Sequence, residues 1–216
     1  MKLKVKFVSK TPKVAMTNEI VFVKNKNIKN NKLKPIIKTI FNNQLFKEQF
    51  FMQKEYGSRN HIFVNCSKTL SSTDYESIGS KLFAYLKNNK LENSFIDASK
   101  ANINNIQLEK TIHGAKLKSY NFDIYKSDNK KNKIINLNIV GMQATKSNTL
   151  RKKLEALLEG VFFTRDLVSE PGNVLHPDEY AKRLIKLKKI GIKVTVYDNK
   201  KLKKLGTLYL VLAKEV

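Results

Sequence analysis

The spacing of apolar and polar residues predicts alternating strands and helices over the first 145 residues. Strand-like segments are rich in β-forming or alternating residues, and they cover 3–9, 19–25, 61–67, 94–99 and 133–141. Helix-like segments repeat their apolar residues every three or four positions, and they cover 36–51, 73–90 and 106–122. Strands joined by helical crossovers are typical of a sheet with helices packed on it, so the pattern predicts an α/β fold.

The predicted helices have recognisable starts and apolar faces. Thr73 followed three residues later by Glu76 is the pattern of a capping box. Side chains on the inward face of the predicted helices are Ile78, Leu82, Phe83, Leu86, Leu108, Ile112 and Ala115. Spacing of this kind places the apolar side chains on one face, where a sheet covers them.

A long helix and a sharply defined joint follow. Residues 146–168 predict one helix with the apolar stripe Leu150, Leu154, Leu157, Val161 and Leu167. Proline disfavours a helical conformation in the residue before it, so Pro171 ends this helix. Pro177 fits the first position of a new helix, and Asp178 and Glu179 suit its positively polarised N-terminus.

The last part of the chain predicts a second β/α repeat. Gly191 is expected just beyond the end of the helix that begins at Pro177, and Gly206 is expected to close a short helix over 199–205. Residues 192–198 and 207–216 are read as strands. The segment 172–216 is therefore expected to begin a further α/β domain.

The charge of the chain permits two interpretations. The net charge is +24, yet only four of the 42 Lys and Arg residues are arginine. Lysine and asparagine enriched together and spread along the chain are typical of tolerant surface positions in a protein from an AT-rich genome. A lysine-rich module that binds DNA without sequence specificity is the alternative.

Other compositional features bear on location. The N-terminus alternates lysine with apolar residues, which differs from the continuous apolar region of a signal peptide. The single cysteine excludes an internal disulfide, and no window is apolar enough for a membrane span. We therefore expect a cytoplasmic protein without a membrane partner.

The residue types that carry most enzyme chemistry are sparse and separated. The candidate metal ligands and nucleophiles are His61, His113, His176, Cys66, Ser67, Ser71 and Ser72. The three histidines belong to three different predicted elements, the cysteine lies in a predicted strand, and the serines suit caps and loops. The sequence also lacks a glycine-rich phosphate loop. We therefore predict no catalytic, cofactor-binding or metal-binding residue in this chain.

Three passages carry a further signal: GAKLKSYNFDIYKS at 114–127, RDLVSEPGNVLHPDEYA at 165–181 and GIKVTVYDNKKLKKLG at 191–206. They resemble one family, the leucyl (cytosol) aminopeptidases or M17 metallopeptidases. Their order and spacing agree with the family over about 95 residues. The resemblance implies a macro-domain-like mixed sheet flanked by helices over 1–145, a linker helix and turn over 146–171, and the start of a catalytic domain over 172–216.

The resemblance also implies what this chain lacks. Family members release N-terminal residues from peptides with two divalent metals, manganese or zinc, and form hexamers. Their metal ligands lie in Lys-Gly-x-x-x-Asp-x-Gly-Gly and Asn-Thr-Asp-Ala-Glu-Gly-Arg passages, and neither occurs here. We therefore expect a truncated, inactive N-terminal portion with a structural or assembly role. Its expected partners are copies of itself or a separately encoded catalytic portion.

Overall fold

The structure is a computed structural model that divides into two compact units, Met1–Phe162 and Phe163–Val216. We call them the N-terminal and C-terminal units. The structure describes residues 2–11, 18–24, 33–43, 46, 51–56, 59–66, 70–125, 133–142 and 144–206, without the side chains of 144–148.

One sheet organises the N-terminal unit. Its strands in the described residues are β1 (Lys2–Val8), β2 (Asn18–Val23), β3 (Phe51–Tyr56), β4 (Arg59–Asn65), β5 (Asn93–Asp97) and β6 (Ile134–Val140). Their order across the sheet is β1-β6-β5-β2-β4-β3. Every neighbouring pair is parallel except β3 and β4, which are antiparallel. The expected mixed sheet of an α/β fold is confirmed.

The helix expected over 36–51 is only partly correct. A helix, α1, covers Lys34–Phe41, and the chain forms β3 from Phe51 onward. Residues of β3 pair with β4 along its whole length, from Phe51 opposite Val64 to Tyr56 opposite Arg59. These residues form a strand because they pair with β4. The sequence pattern of β3 alone does not reveal this pairing, so it could not be predicted.

Helices cover both faces of the sheet. On one face, α2 (Ser72–Asn88) and α3 (Asn105–Lys118) bury the larger core, which includes every inward residue expected for these two helices. On the other face, Ile37 and Ile40 of α1 pack with Val23 and Phe63. The interior follows the apolar periodicity of the sequence.

The start of α2 corrects the expected capping box. The N-cap is Ser71, whose hydroxyl accepts a hydrogen bond from the Asp74 amide, while an Asp74 carboxylate oxygen accepts one from the Ser71 amide. Thr73 lies inside the first turn, so it is not the cap. Glu76 instead forms an ion pair with Lys110 of α3, with 2.8 Å between Nζ and Oε1.

A long helix, α4, covers Ala144–Ser169, close to the expected 146–168. It contains the boundary between the two compact units. None of the helices in the described part combines the length and hydrophobicity that a bilayer-spanning segment requires.

Two short helices follow α4 in the described residues of the C-terminal unit. They are α5 (Pro177–Ile185), continued by a short 3₁₀ helix over Lys186–Ile190, and α6 (Asn199–Lys204). Gly191 and Gly206 follow with φ angles of 88° and 73°, which confirms their expected helix-ending positions. The strand expected over 192–198 is wrong, because these residues have no regular secondary structure. A strand needs a paired neighbour, and the described residues of this unit contain none. The strand expected over 207–216 lies outside the described residues.

Candidate functional site

Backbone hydrogen bonds and two ion pairs hold the turn between α4 and α5. We call residues 170–183 the joint. The Pro171 carbonyl accepts hydrogen bonds from the amides of Val174 and Leu175, each 2.9 Å from nitrogen to oxygen. Two bonds to one carbonyl fix the path of the chain immediately after α4 ends.

The start of α5 follows the sequence expectation. His176 is the N-cap in an extended conformation, its side chain makes no capping bond, and Pro177 is in the first turn. Asp178 and Glu179 lie in that first turn, where the helix dipole favours negative charge. His176 therefore has a backbone role at a helix start, and it is distant in the chain from the other two histidines.

Arg183 holds the two ends of the joint together. Its Nη1 lies 3.0 Å from Oε1 of Glu170, at the end of α4, and its Nε lies 3.3 Å from Oε1 of Glu179. The Glu170 side chain is only 5% exposed. Its hydrogen bond to Arg183 raises the pKa of the guanidinium. We call this arrangement the Arg183 clamp, and sequence reasoning did not identify it.

A second arginine anchors α4 within the N-terminal unit. Arg151 lies 2.7 Å from the carboxylate of Glu109 on α3, and its guanidinium is 3.5 Å from the centroid of the Phe7 ring on β1. The Glu109 side chain is 2% exposed, so Arg151 neutralises a buried charge. Lys116 on α3 also pairs with Glu155 on α4. These contacts hold the part of α4 that belongs to the N-terminal unit against α3 and β1.

The other two histidines are buried in separate elements. His61 lies in β4 with its Nδ1 3.4 Å from Oε2 of Glu19, a contact that does not form a hydrogen bond. Burial lowers the pKa of His61 in spite of the nearby Glu19 carboxylate. Burial also lowers the pKa of His113 in α3. Both imidazoles are therefore neutral near pH 7, and they are interior residues of different layers.

The cysteine and the serines have structural positions. Cys66 is buried beyond the end of β4, and burial raises the pKa of its thiol to about 12, which leaves it unreactive at neutral pH. Ser71 is a helix cap and Ser72 is the first residue of α2. Ser67 lies outside the described residues.

The donor set does not fit a two-metal centre. A pair of divalent ions needs several carboxylates that converge on one place. No group of three His, Cys, Asp or Glu residues in the described ranges could hold even one metal ion. Three little-exposed carboxylates already face cations of this chain: Glu109 faces Arg151, Asp97 faces Lys100 and Glu170 faces Arg183. The buried Glu19 lies beside the His61 imidazole. That the chain has no catalytic, cofactor-binding or metal-binding residue remains a prediction.

Comparison with known proteins identifies sequence relatives. A probable cytosol aminopeptidase of Phytoplasma mali is 38% identical over 117 residues, which are 52% of this chain and 24% of the relative. A probable cytosol aminopeptidase of Rhizobium rhizogenes is 31% identical over 147 residues, 65% of this chain and 30% of the relative. No protein-family model matches the chain.

Solved structures extend the resemblance to the fold. A mutant of tomato leucine aminopeptidase superposes with a TM-score of 0.67 at 20% identity, covering 95% of this chain and 46% of that one. The bottromycin maturation enzyme BotP in complex with Mn superposes with a TM-score of 0.58 at 15% identity, covering 89% and 40%. The chain thus spans less than half of these structures, and its match covers a third or less of the two sequence relatives.

Proposed function

We propose that this chain is the N-terminal portion of a leucyl (cytosol) aminopeptidase, which it resembles in sequence and in fold. Its role in that enzyme is structural: it supplies the sheet domain, the linker helix and the joint, and it leaves catalysis to a peptidase portion. We keep the division into a sheet domain over 1–145, a linker over 146–171 and the start of the catalytic domain over 172–216 as part of this proposal.

The observation that carries the proposal is the exposed apolar surface of the C-terminal unit. None of α5, the 3₁₀ helix and α6 contains a buried residue. The large exposed apolar side chains of the C-terminal unit include Ile185, Ile190, Ile192, Val196 and Leu205. Ile190 is 73% and Leu205 is 60% exposed. Apolar surface concentrated in so short a segment is typical of a contact with further protein.

The joint explains how such a contact is oriented. The turn at Pro171 and the Arg183 clamp fix the direction of α5 relative to the end of α4. A peptidase portion that packs on α5 would therefore have a defined position relative to α4. In the complete enzyme, two divalent metals, manganese or zinc, would polarise the peptide carbonyl and activate water. Residues of this chain would hold neither ion.

Peptides would be the substrates of the complete enzyme. The chain would assemble with copies of itself, as in a hexamer, or bind a separately encoded catalytic portion. The proposed location is the cytoplasm. The alternative, a lysine-rich module for DNA, rests on the net charge of +24 alone. No feature of the described residues favours it over the aminopeptidase proposal.

The purified 216-residue chain is expected to release no leucine from leucyl p-nitroanilide, with or without Mn²⁺. The reason is that no three His, Cys, Asp or Glu residues in the described ranges come together in a group that could hold a metal ion. The measurement is nitroaniline release by chain whose cooperative unfolding proves that it is folded. Metal-dependent release that co-elutes with the chain and stops on chelation would show that the proposed division of labour is wrong.

A further inference from the structure

We propose that the outer edge of β1 is a docking site for an acidic, extended polypeptide segment that joins the sheet as an additional strand. This inference goes beyond the aminopeptidase proposal and does not depend on it. It rests on the backbone direction, the side-chain faces and the charge of β1.

The backbone of β1 is paired on one side. In the sheet order β1 is at one end, and in the described residues it pairs only with β6. The Lys2 amide donates to the Lys133 carbonyl, and the Gly141 amide donates to the Val8 carbonyl, at 3.0 and 3.3 Å. Even-numbered residues therefore direct their amides and carbonyls toward β6. Because these directions alternate along a strand, the odd-numbered residues Leu3, Val5 and Phe7 direct theirs to the outer edge.

The side chains of β1 give that edge two different faces. Lys2, Lys4 and Lys6 are exposed on one face. On the other face Leu3 and Val5 are half-buried against the larger core, and Phe7 is 37% exposed. An added strand would meet a row of three positive charges on one face. On the other it would meet the apolar side chains of Leu3 and Val5 and the Phe7 ring that Arg151 contacts.

The three exposed lysines of β1 determine which kind of segment can pair with this edge. Two copies of this chain that paired through β1 would bring lysine rows together in a protein of net charge +24. Like charges directly opposite each other destabilise a sheet, so the lysines protect the edge against a second copy. The same lysines attract aspartate or glutamate at alternate positions of an incoming strand. The partner that fits is therefore a segment of about seven residues in which acidic and apolar residues alternate.

The test uses a synthetic eight-residue peptide of alternating Glu and Val with uncharged ends. It is titrated into the isotopically labelled full chain while amide hydrogen exchange is recorded. We expect slower exchange at the amides of Leu3, Val5 and Phe7, because the peptide backbone pairs with them. A matched peptide that is N-methylated at alternate residues, on the edge that would face β1, keeps the charges and is expected not to bind.

Charge reversal tests the lysine row. The double variant Lys4→Glu/Lys6→Glu should weaken binding by about tenfold or more, because two attractive cross-strand pairs become repulsive. The control Lys152→Glu/Lys153→Glu changes the net charge equally at exposed positions of α4 and should bind like the parent chain.

Three results would overturn the proposal. If the N-methylated peptide bound as tightly as the unmethylated one, only general charge attraction would operate. This comparison uses the same unaltered protein for both peptides. Slow exchange at Leu3, Val5 and Phe7 before any peptide is added would show that the edge is already covered. Equal weakening by the two double variants would show that the lysines of β1 have no particular part in binding.

Discussion

Replacing Gly114 by alanine is expected to destabilise the N-terminal unit by about 3 kcal/mol, the upper end of the usual cost of overpacking, because two backbones would have to separate. A Cβ at Gly114 would overlap the backbone carbonyl of Glu76 on α2, and a Cβ at Gly79 would overlap the carbonyl of Thr111 on α3. The two helices therefore cross with backbone against backbone, and a carbonyl fixed in a helix cannot rotate away as a side chain can. Gly79→Ala should have a similar effect. Urea unfolding followed by circular dichroism measures the loss.

Gly160 offers a matched control for the glycine variants. It also lies inside a helix, but a Cβ there would meet nothing within 4 Å. Gly160→Ala should stabilise the chain by about 0.5–1 kcal/mol through helix propensity. If Gly114→Ala behaved like Gly160→Ala, then α2 and α3 do not approach as closely as described.

Replacing Arg151 by methionine is expected to cost about 3–5 kcal/mol, because it leaves the Glu109 carboxylate buried without its cation. The Glu109 side chain is 2% exposed and the Arg151 side chain is 18% exposed. Water therefore cannot fully replace the guanidinium as the partner of the carboxylate. The variant also loses the guanidinium over the Phe7 ring. The free energy of unfolding in urea gives the cost directly.

The double variant Arg151→Met/Glu109→Gln separates charge from packing. Removing the buried charge should restore a large part of the stability, since a neutral amide costs less to bury than a carboxylate that has lost its arginine. Arg151→Lys should recover only part of it, because an ammonium cannot reproduce the planar contact with the Phe7 ring. If the double variant were less stable than Arg151→Met, the buried charge would not be the cause.

The order of strands and helices could be predicted from the sequence because local signals determine it. Apolar periodicity located α2, α3 and α4, Pro177 located the start of α5, and Gly206 located the end of α6. The failures occurred where a neighbouring element decides the structure. β3 depends on pairing with β4, and residues 192–198 lack a described strand beside them.

The Arg183 clamp and the Arg151 anchor could have been suspected from composition. In a chain with 42 Lys and Arg residues, only four positions hold arginine. Arg59 lies over the Phe95 ring, and Arg151 and Arg183 pair with glutamates whose side chains are at most 5% exposed. A planar guanidinium with several donors is difficult to replace by lysine at such positions. The partners Glu109 and Glu170 could not be deduced, because only the fold brings them together.

The most direct test of the proposal that this chain is the N-terminal portion of a leucyl aminopeptidase is the activity of a chimera. In it, this chain replaces the corresponding N-terminal part of the Phytoplasma mali relative, and leucine release from leucyl p-nitroanilide is measured with Mn²⁺ beside the parent protein. If the chain is the N-terminal portion of a leucyl aminopeptidase, the chimera should release leucine at a rate comparable with that of the parent. A chimera that unfolds cooperatively but releases no leucine, under conditions in which the parent is active, would contradict the claim.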